Sequence, residues 1–429
     1  MASNMDPQSP VSSSDPASPA YATKADPDDY GLKTGSASQS PLVVCCVISL
    51  LCYVASYIRM PVVPRLAIDL GISPAGIGRI NAAFFLTAGL SSFPLGRLSD
   101  LVGKKPVAMG GLLFLSAGGL MLAFSSTFMQ LVVGYILLGF GMAAFGSAMM
   151  SLVSDLSSAA KLGRAYGWYT LTLYLGMSLG PALGGSLAEG MALSRVLLLS
   201  AGLTLLVTGV AQVFLPATRL VGQSPSHSRD FGSAMGVLAR NRPLLGCWLA
   251  TLGACFSLGM FLTFYPLYAY AEGLSTSQVG ITFLFHGVGN GLIRLPSGYL
   301  SDSVGDRRLL VFLGLAGCSV AMAVLGLANT TGMANLGAAT LGLSLGVAFP
   351  SLGASIGEVV PRHLRGAAMG GFNACIFLGM LVNAMLMGTV VEAIGYANCF
   401  WLSALANGLL AGLALTLMGG MREKRCPVV

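Results

Sequence analysis

The sequence predicts an all-α membrane protein with twelve transmembrane helices in two six-helix bundles related by pseudo-twofold symmetry. Three observations predict it. The first is composition: of 429 residues, 55% are hydrophobic and only 9% charged, with a mean hydropathy of +0.77, whereas soluble globular chains carry about 25% charged residues. The second is segmentation. A bilayer core about 30 Å thick takes roughly 20 apolar residues per helix, and short polar breaks divide 41–420 into twelve such runs. The third is repetition. GRLSDLVGKKP at 96–106 returns as GYLSDSVGDRR at 298–308, and the same offset of 202 matches Pro64 with Pro266, Gly71 with Gly273, Ser73 with Ser275 and Gly78 with Gly280. One inserted residue later, at 203, Gly163 matches Gly366, Gly167 matches Gly370, Gly176 matches Gly379 and Gly185 matches Gly388.

In chain order, residues 1–40 are rich in Ser, Pro and Asp and poor in apolar residues, which predicts a disordered cytoplasmic tail. They read as neither a secretory signal nor an Arg-rich transit peptide. The first bundle, 41–217, holds apolar runs at 42–63, 76–97, 106–124, 129–152, 167–187 and 196–216. A polar, basic segment at 218–242 reads as a cytoplasmic linker. The second bundle, 243–420, holds runs at 244–268, 278–299, 308–328, 334–356, 368–390 and 398–420, and 421–429 is a short basic tail. With the N-terminus inside, the even-numbered connections and both tails hold 18 of the 23 Lys and Arg. The others are Arg59, Arg65, Arg79, Arg195 and Arg294. That bias predicts an integral, multi-pass protein of the plasma (cell inner) membrane with both termini cytoplasmic.

The same distribution accounts for the net charge of +7 without a nucleic-acid partner. Most of the nine cysteines, such as Cys45, Cys52, Cys255 and Cys318, sit inside apolar runs without paired spacing or a neighbouring His, so they read as small buried hydrophobes and not as metal ligands. No nucleophile with a positioned base and no phosphate-binding loop is present, so the chain is not read as an enzyme and needs no cofactor. Duplicated parallel halves suit a secondary transporter, whose partners are a small-molecule substrate, a coupling ion, here H+, and membrane lipid, acting as a monomer. A non-transporting receptor or scaffold would be favoured by large soluble domains, and the longest polar stretch is the 40-residue tail.

In the doubled loop, Gly96 and Gly298 allow close helix approach, and Gly103 and Gly305 suit a tight turn with positive φ. Asp100 has Lys104, Lys105 and Arg164 within reach in sequence, and Asp302 has Arg307, Arg308 and Arg365. Lying between helices 2 and 3 and again between 8 and 9, the loop resembles the G-x-L-x-D-x-x-G-R-K/R signature of the major facilitator superfamily, and the resemblance covers 41–420. It implies the major facilitator fold, with these charges, Asp155 and Glu358 latching the two halves when the cytoplasmic gate is shut. Two departures stand out. Asp306 occupies the place of a usual cation, which implies a weaker second latch, and Tyr135 stands four residues before Gly139 where the family often has Arg.

Helix 5 carries G-x8-G-x3-G-P-x2-G-G through Gly167, Gly176, Gly180, Pro181, Gly184 and Gly185. This resembles the antiporter motif of twelve-helix drug:proton antiporters and implies export of small amphipathic or hydrophobic compounds by alternating access. Uptake or exchange of a small organic anion or metabolite by the same fold is the alternative. Polar groups inside spans are functional candidates by default: Arg59 on helix 1, and His286, Asn290 and Arg294 on one face of helix 8, for the substrate or proton pathway. Asn373 and Asn383 on helix 11 read as packing. All sixteen Asp and Glu fall in tails, loops or helix ends, which leaves His286 as the proton carrier suited to neutral pH, with Asp69 and Asp155 as runners-up.

Overall fold

The structure, a computed structural model, describes residues 41–157, 162–216, 236–303, 306–361 and 364–419. The tail 1–40, most of the linker, Gly305, the Asp302 side chain and 421–429 lie outside the described residues.

Twelve long helices form among the described residues. They are α1 Pro41–Asp69, α2 Pro74–Val102, α3 Lys104–Ala123, α4 Phe128–Asp155, α5 Leu162–Gly190, α6 Leu193–Phe214, α7 Arg242–Ala271, α8 Thr276–Ser303, α9 Arg307–Gly326, α10 Thr331–Val359, α11 Arg365–Ile394 and α12 Tyr396–Met418. They correspond one for one with the apolar runs, and most extend further. α1 continues to Asp69 rather than 63, and α11 covers Arg365–Ile394 rather than 368–390. Hydropathy detects only the lipid-facing middle of a helix, whereas caps set the ends. Ser73 accepts the Gly76 N–H at 3.3 Å, Asn241 accepts Leu244 N–H at 3.2 Å, and Thr127 with Gln130 forms a reciprocal capping box before α4. Gly71 and Gly273, at φ of 70° and 80°, make the turns after α1 and α7. α1 is interrupted at Ile58, because Pro61 and Pro64 lack the N–H groups that would bond the Tyr57 and Met60 carbonyls.

The helices pair by a rule that repeats. α1 packs on α5 and α6, α2 and α3 on α4, and α3 on α6; in the second half α7 packs on α11 and α12, α8 and α9 on α10, and α9 on α12. Each pair recurs six helices later, which is the pseudo-twofold relation. Between halves, the extensive contacts are α2 with α11 and α5 with α8. Among the described residues nine helices are long and apolar enough to cross a bilayer unaided, and α2, α5 and α8 are the three that are not. Three of the four seam helices are thus the least lipid-like, since the opposite half covers them.

The structure also fixes where the inserted residue falls. Lys104 bonds Asp155 and Arg307 bonds Glu358, both pairs at an offset of 203. Lys104 therefore corresponds to Arg307, not to Asp306, and the insertion lies in the turn before α9. Asp306 aligns with Gly103 and N-caps α9, accepting Arg308 N–H at 3.1 Å and Arg308 Nε–H at 2.8 Å. The cation expected to be missing stands one residue later, as Arg307.

Candidate functional site

The α2–α3, α4–α5, α8–α9 and α10–α11 connections share one end of the molecule, here the motif end; the other is the distal end. The site is built on the seam between halves, which differs sharply along its length.

In the distal half the seam is closed by backbone meeting backbone. A Cβ on Gly78 of α2 would run into the Ala384 carbonyl of α11, and one on Gly280 of α8 into the Pro181 carbonyl of α5. A Cβ on Gly388 would lie 2.7 Å from Ala75 Cα, and one on Gly185 would strike the Thr276 carbonyl. These four contacts are two symmetry-related pairs. Two carboxylates complete the closure, each capping a helix of the other half. Ala75 N–H donates to Glu392 Oε1 at 3.0 Å; Ser275 Oγ–H and Ser277 N–H donate to Glu189 Oε1 at 2.6 and 3.2 Å. An anion at a helix N-terminus satisfies donors that the helix leaves orphaned. The Tyr270 hydroxyl, on α7, donates to the Pro61 carbonyl of α1.

Towards the motif end the same helices part. On α2 a Cβ on Gly89 would still lie 3.0 Å from Phe377 Cβ of α11. Gly298, Gly366 and Gly370 have open space where a Cβ would stand, and Gly96 meets only Ser147 Cβ at 3.9 Å. The close approach expected at Gly96 and Gly298 is therefore absent in this conformation. Gly103 has the expected positive φ, 108°.

The ion pairs of the motif charges among the described residues join helices within a half. Lys104 pairs with Asp155 across α3 and α4, and Arg307 with Glu358 across α9 and α10. Lys105 Nζ donates to the Gln212 carbonyl near the end of α6 at 2.7 Å, and Arg308 Nη1 to the Gly419 carbonyl after α12 at 3.3 Å, where cations meet the negative end of a helix. Asp100 is exposed without an ion-pair partner among the described residues, and Arg164 and Arg365 are exposed. This is the arrangement of a parted motif end.

The antiporter-motif glycines of α5 form a groove for α1. Cβ atoms on Gly176, Gly180 and Gly184 would meet Tyr53, Tyr57 and the Ile58 carbonyl, so the groove receives α1 up to its interruption. Gly185 and Pro181 face α8 across the seam, and Gly167 has open space. In the second half Gly379 meets Leu252, Cys255 and Phe256, each at the repeat offset from the partners of Gly176. One position is exchanged. Where α5 has Gly180 opposite Tyr57, α11 has Asn383 opposite Gly259, whose Cβ would lie 3.1 Å from Asn383 Cβ. Asn383 is buried as expected of packing, though neither amide atom has a partner. Asn373, expected to pack, is exposed on the open half of α11.

Arg294 reaches across the seam from α8, its guanidinium 4.5 Å from the Tyr174 ring centroid of α5, with Nη1 donating to Asn290 Oδ1 at 3.2 Å. Asn290 is 1% exposed, its backbone packed on Gly342 and Gly346 of α10. It clamps Arg294 and does not line an opening here. His286 is half-buried, its ring 5.0 Å from that of Phe261, and its Nδ1 has no hydrogen-bond partner.

Arg59 is 4% exposed, its guanidinium 5.3 Å from the Phe84 ring and 5.1 Å from that of Tyr135, with Nε unpartnered. The ring at the position often held by Arg thus receives a cation from α1. Burying an unpaired charge costs several kcal/mol, and two ring faces return about 0.5–2 kcal/mol each, which leaves the charge under-compensated.

The sequence reading missed Glu189, Glu392 and Tyr270. The signal was available for the two glutamates: they stand at the repeat offset of 203, and the capping serines, Ser73 and Ser275, stand at the offset of 202.

Residues 45–352 and 247–425 match the family model for the Major Facilitator Superfamily. An uncharacterised MFS-type transporter of Methanocaldococcus jannaschii is 25% identical over 352 residues, which is 80% of this chain and 89% of that one. Another, from Burkholderia mallei, is 27% identical over 415 residues, 94% of this chain and 98% of that one. The crystal structure of a bacterial homologue of the human lysosomal transporter Spinster, inward-facing and unoccupied, is similar with a TM-score of 0.78 over 91% of this chain and 98% of that one, at 13% identity. A family match that runs through both halves agrees with a repeat visible contact by contact along the seam, and this chain belongs to the major facilitator superfamily, as an integral multi-pass membrane transporter and not an enzyme.

Proposed function

We propose that this transporter is a secondary active, proton-coupled exporter of small amphipathic compounds, working as a monomer in the plasma membrane by alternating access. The observation that carries the reading is the uneven seam: shut by two symmetry-related sets of contacts at the distal end and parted at the motif end. A single solute route opening at one face at a time needs such a seam. The cations gathered at the motif end support a cytoplasmic position for it and for both termini, and the similar Spinster homologue is itself inward-facing. Export is supported by the α5 motif, which seats α5 against both α1 and α8 and so ties seam movement to the interrupted helix. The second half lacks it, with Asn383 and Met387 at the corresponding places. His286 supports proton coupling, because among the described residues it is the imidazole or carboxylate furthest from a helix end.

The test uses purified protein in liposomes, loaded with cationic, neutral and anionic dyes under an imposed pH gradient. Glu189→Cys paired with Ser277→Cys offers a disulfide across the distal seam, and the described native thiols are mostly buried, away from the oxidant. Dye movement should stop on oxidation and return on reduction, and cargo-dependent proton flux should vanish in His286→Ala. Undiminished movement through the cross-linked protein would defeat alternating access; proton flux surviving in His286→Ala would defeat the assignment of the carrier.

A further inference from the structure

The geometry points to an anion-binding subsite at Arg59, and hence to a cargo that carries a negative head group on an apolar body. The inference rests on the transport reading but not on its direction.

Arg59 lies in the space within the first half, and the packing shows how. α1 packs on α5 and α6, has only sparse contact with α4 and no extensive contact with α2, yet its guanidinium reaches rings on both α2 and α4. The buried side chain therefore bridges two helix pairs across the inside of the first half. Pro61, where the Tyr270 hydroxyl closes the distal seam, is two residues further along α1. The subsite is thus immediately beneath the shut end.

Its chemistry is one-sided. Nε finds no partner, and no ion pair reaches Arg59 among the described residues. The nearest acid along α1, Asp69, is at its distal end and faces Arg65 at 3.5 Å. The Phe84 face supplies no directed acceptor, and the Tyr135 hydroxyl supplies a single neutral one. A carboxylate, sulfonate or phosphate supplies two or three, in the fork geometry that suits guanidinium.

The repeat adds a second, independent observation. At the offset of 202, Arg59 and Phe84 correspond to Phe261 and His286, and these two rings are also in contact, at 5.0 Å. Each half thus sets a nitrogen base against a ring at the same depth, with the roles of the two helices exchanged. Arg294 brings a further cation to the seam itself, and among the described residues no carboxylate occupies the middle of any helix that lines it. A cationic interior without acids favours a cargo that brings the missing charge.

The experiment uses three matched fluorescent amphiphiles: a dansylated undecanoic acid, its methyl ester and its trimethylammonium analogue, titrated against the purified full chain. The acid should bind at least about tenfold more tightly than either analogue, the lower bound for one charge-assisted hydrogen bond. Arg59→Gln should bring the acid's Kd to that of the ester and leave the ester's unchanged, and Arg59→Lys should keep part of the preference. Tyr135→Leu, which loosens the pocket but retains the charge, should weaken acid and ester alike. Three equal affinities, no saturable binding of the acid, or a preference persisting in Arg59→Gln overturns the subsite. In liposomes, ester movement without acid preference leaves the transport reading standing while the anion inference falls; acid preference with unblocked movement through the distal cross-link does the reverse.

Discussion

Replacing Gly388 by Ala should tilt the molecule towards a distal-open form without unfolding it. The added Cβ would lie 2.7 Å from Ala75 Cα and 3.2 Å from the Pro74 carbonyl, at the N-terminus of α2 in the other half. Both are backbone atoms of a capped helix start, so no side chain can rotate away, and the two halves must separate locally by several tenths of an ångström or more. Overpacking of this kind costs about 1–3 kcal/mol. The clash exists only while the distal seam is shut, so the cost appears as a change of about 5- to 150-fold in the closed-to-open ratio. Spin labels on Ser126 and Asn329, exposed in the distal turns of opposite halves, report that ratio as a distance distribution. Gly379→Ala is the control. Its Cβ would lie 2.9 Å from Cys255 Cβ within the second half, so it should lower thermal stability and leave the distance between halves alone. An unchanged distribution in Gly388→Ala, or an equal change in Gly379→Ala, would refute the division into rigid halves and a switchable seam.

The paired caps give a second prediction. Glu189→Gln with Glu392→Gln should increase distal opening in the same spin-label assay by more than either change alone, because each removes the charge from a cap on the other half; unchanged distances count against the caps as a latch. The motif acids should divide by role. Asp155→Asn breaks the pair with Lys104 and should lower stability by no more than about 1 kcal/mol, the range of part-exposed ion pairs. Asp100→Asn should leave thermal stability unchanged and slow transport, since Asp100 is exposed and has no ion-pair partner among the described residues. A stability loss in Asp100→Asn, measured by thermal unfolding in detergent, would contradict its free state with the motif end parted.

Helix number, pairing of halves and the seam glycines were legible because lipid removes alternatives. A spanning helix must be apolar for about 20 residues, and close approach of backbones demands Gly at fixed positions. Duplication then made each position readable twice, as Gly176 with Gly379 and Gly185 with Gly388 show. Two kinds of information were less legible. An insertion inside a turn leaves apolar spacing untouched, so only the Lys104–Asp155 and Arg307–Glu358 pairs placed it. Conformation was hidden too: the motif acids read as a latch between halves, while in this structure the described pairs lie within halves. Asn290 differs from expectation because glycines at 342 and 346 let α10 approach the α8 backbone there, which spacing along α8 alone does not reveal.

The exchange of Gly180 and Tyr57 for Asn383 and Gly259 bears on why the halves are not equivalent in use. Both arrangements fill the same volume, one bulky group against one glycine, so both halves keep the same helix spacing. The polar content differs, however. The first half sets a tyrosine from α1 beside Arg59, whereas the second sets an amide from α11 that has no partner in this conformation. Unpaired polar atoms are tolerated inside a bundle when another conformation satisfies them, and α11 is a seam helix. Glycine approaches and exposed carboxylate caps hold much of the distal seam, alongside Phe264 and Tyr270. The groove between α1 and α5 is filled by backbone and tyrosine instead, which on the proposed reading makes the seam, and not this groove, the place where movement occurs.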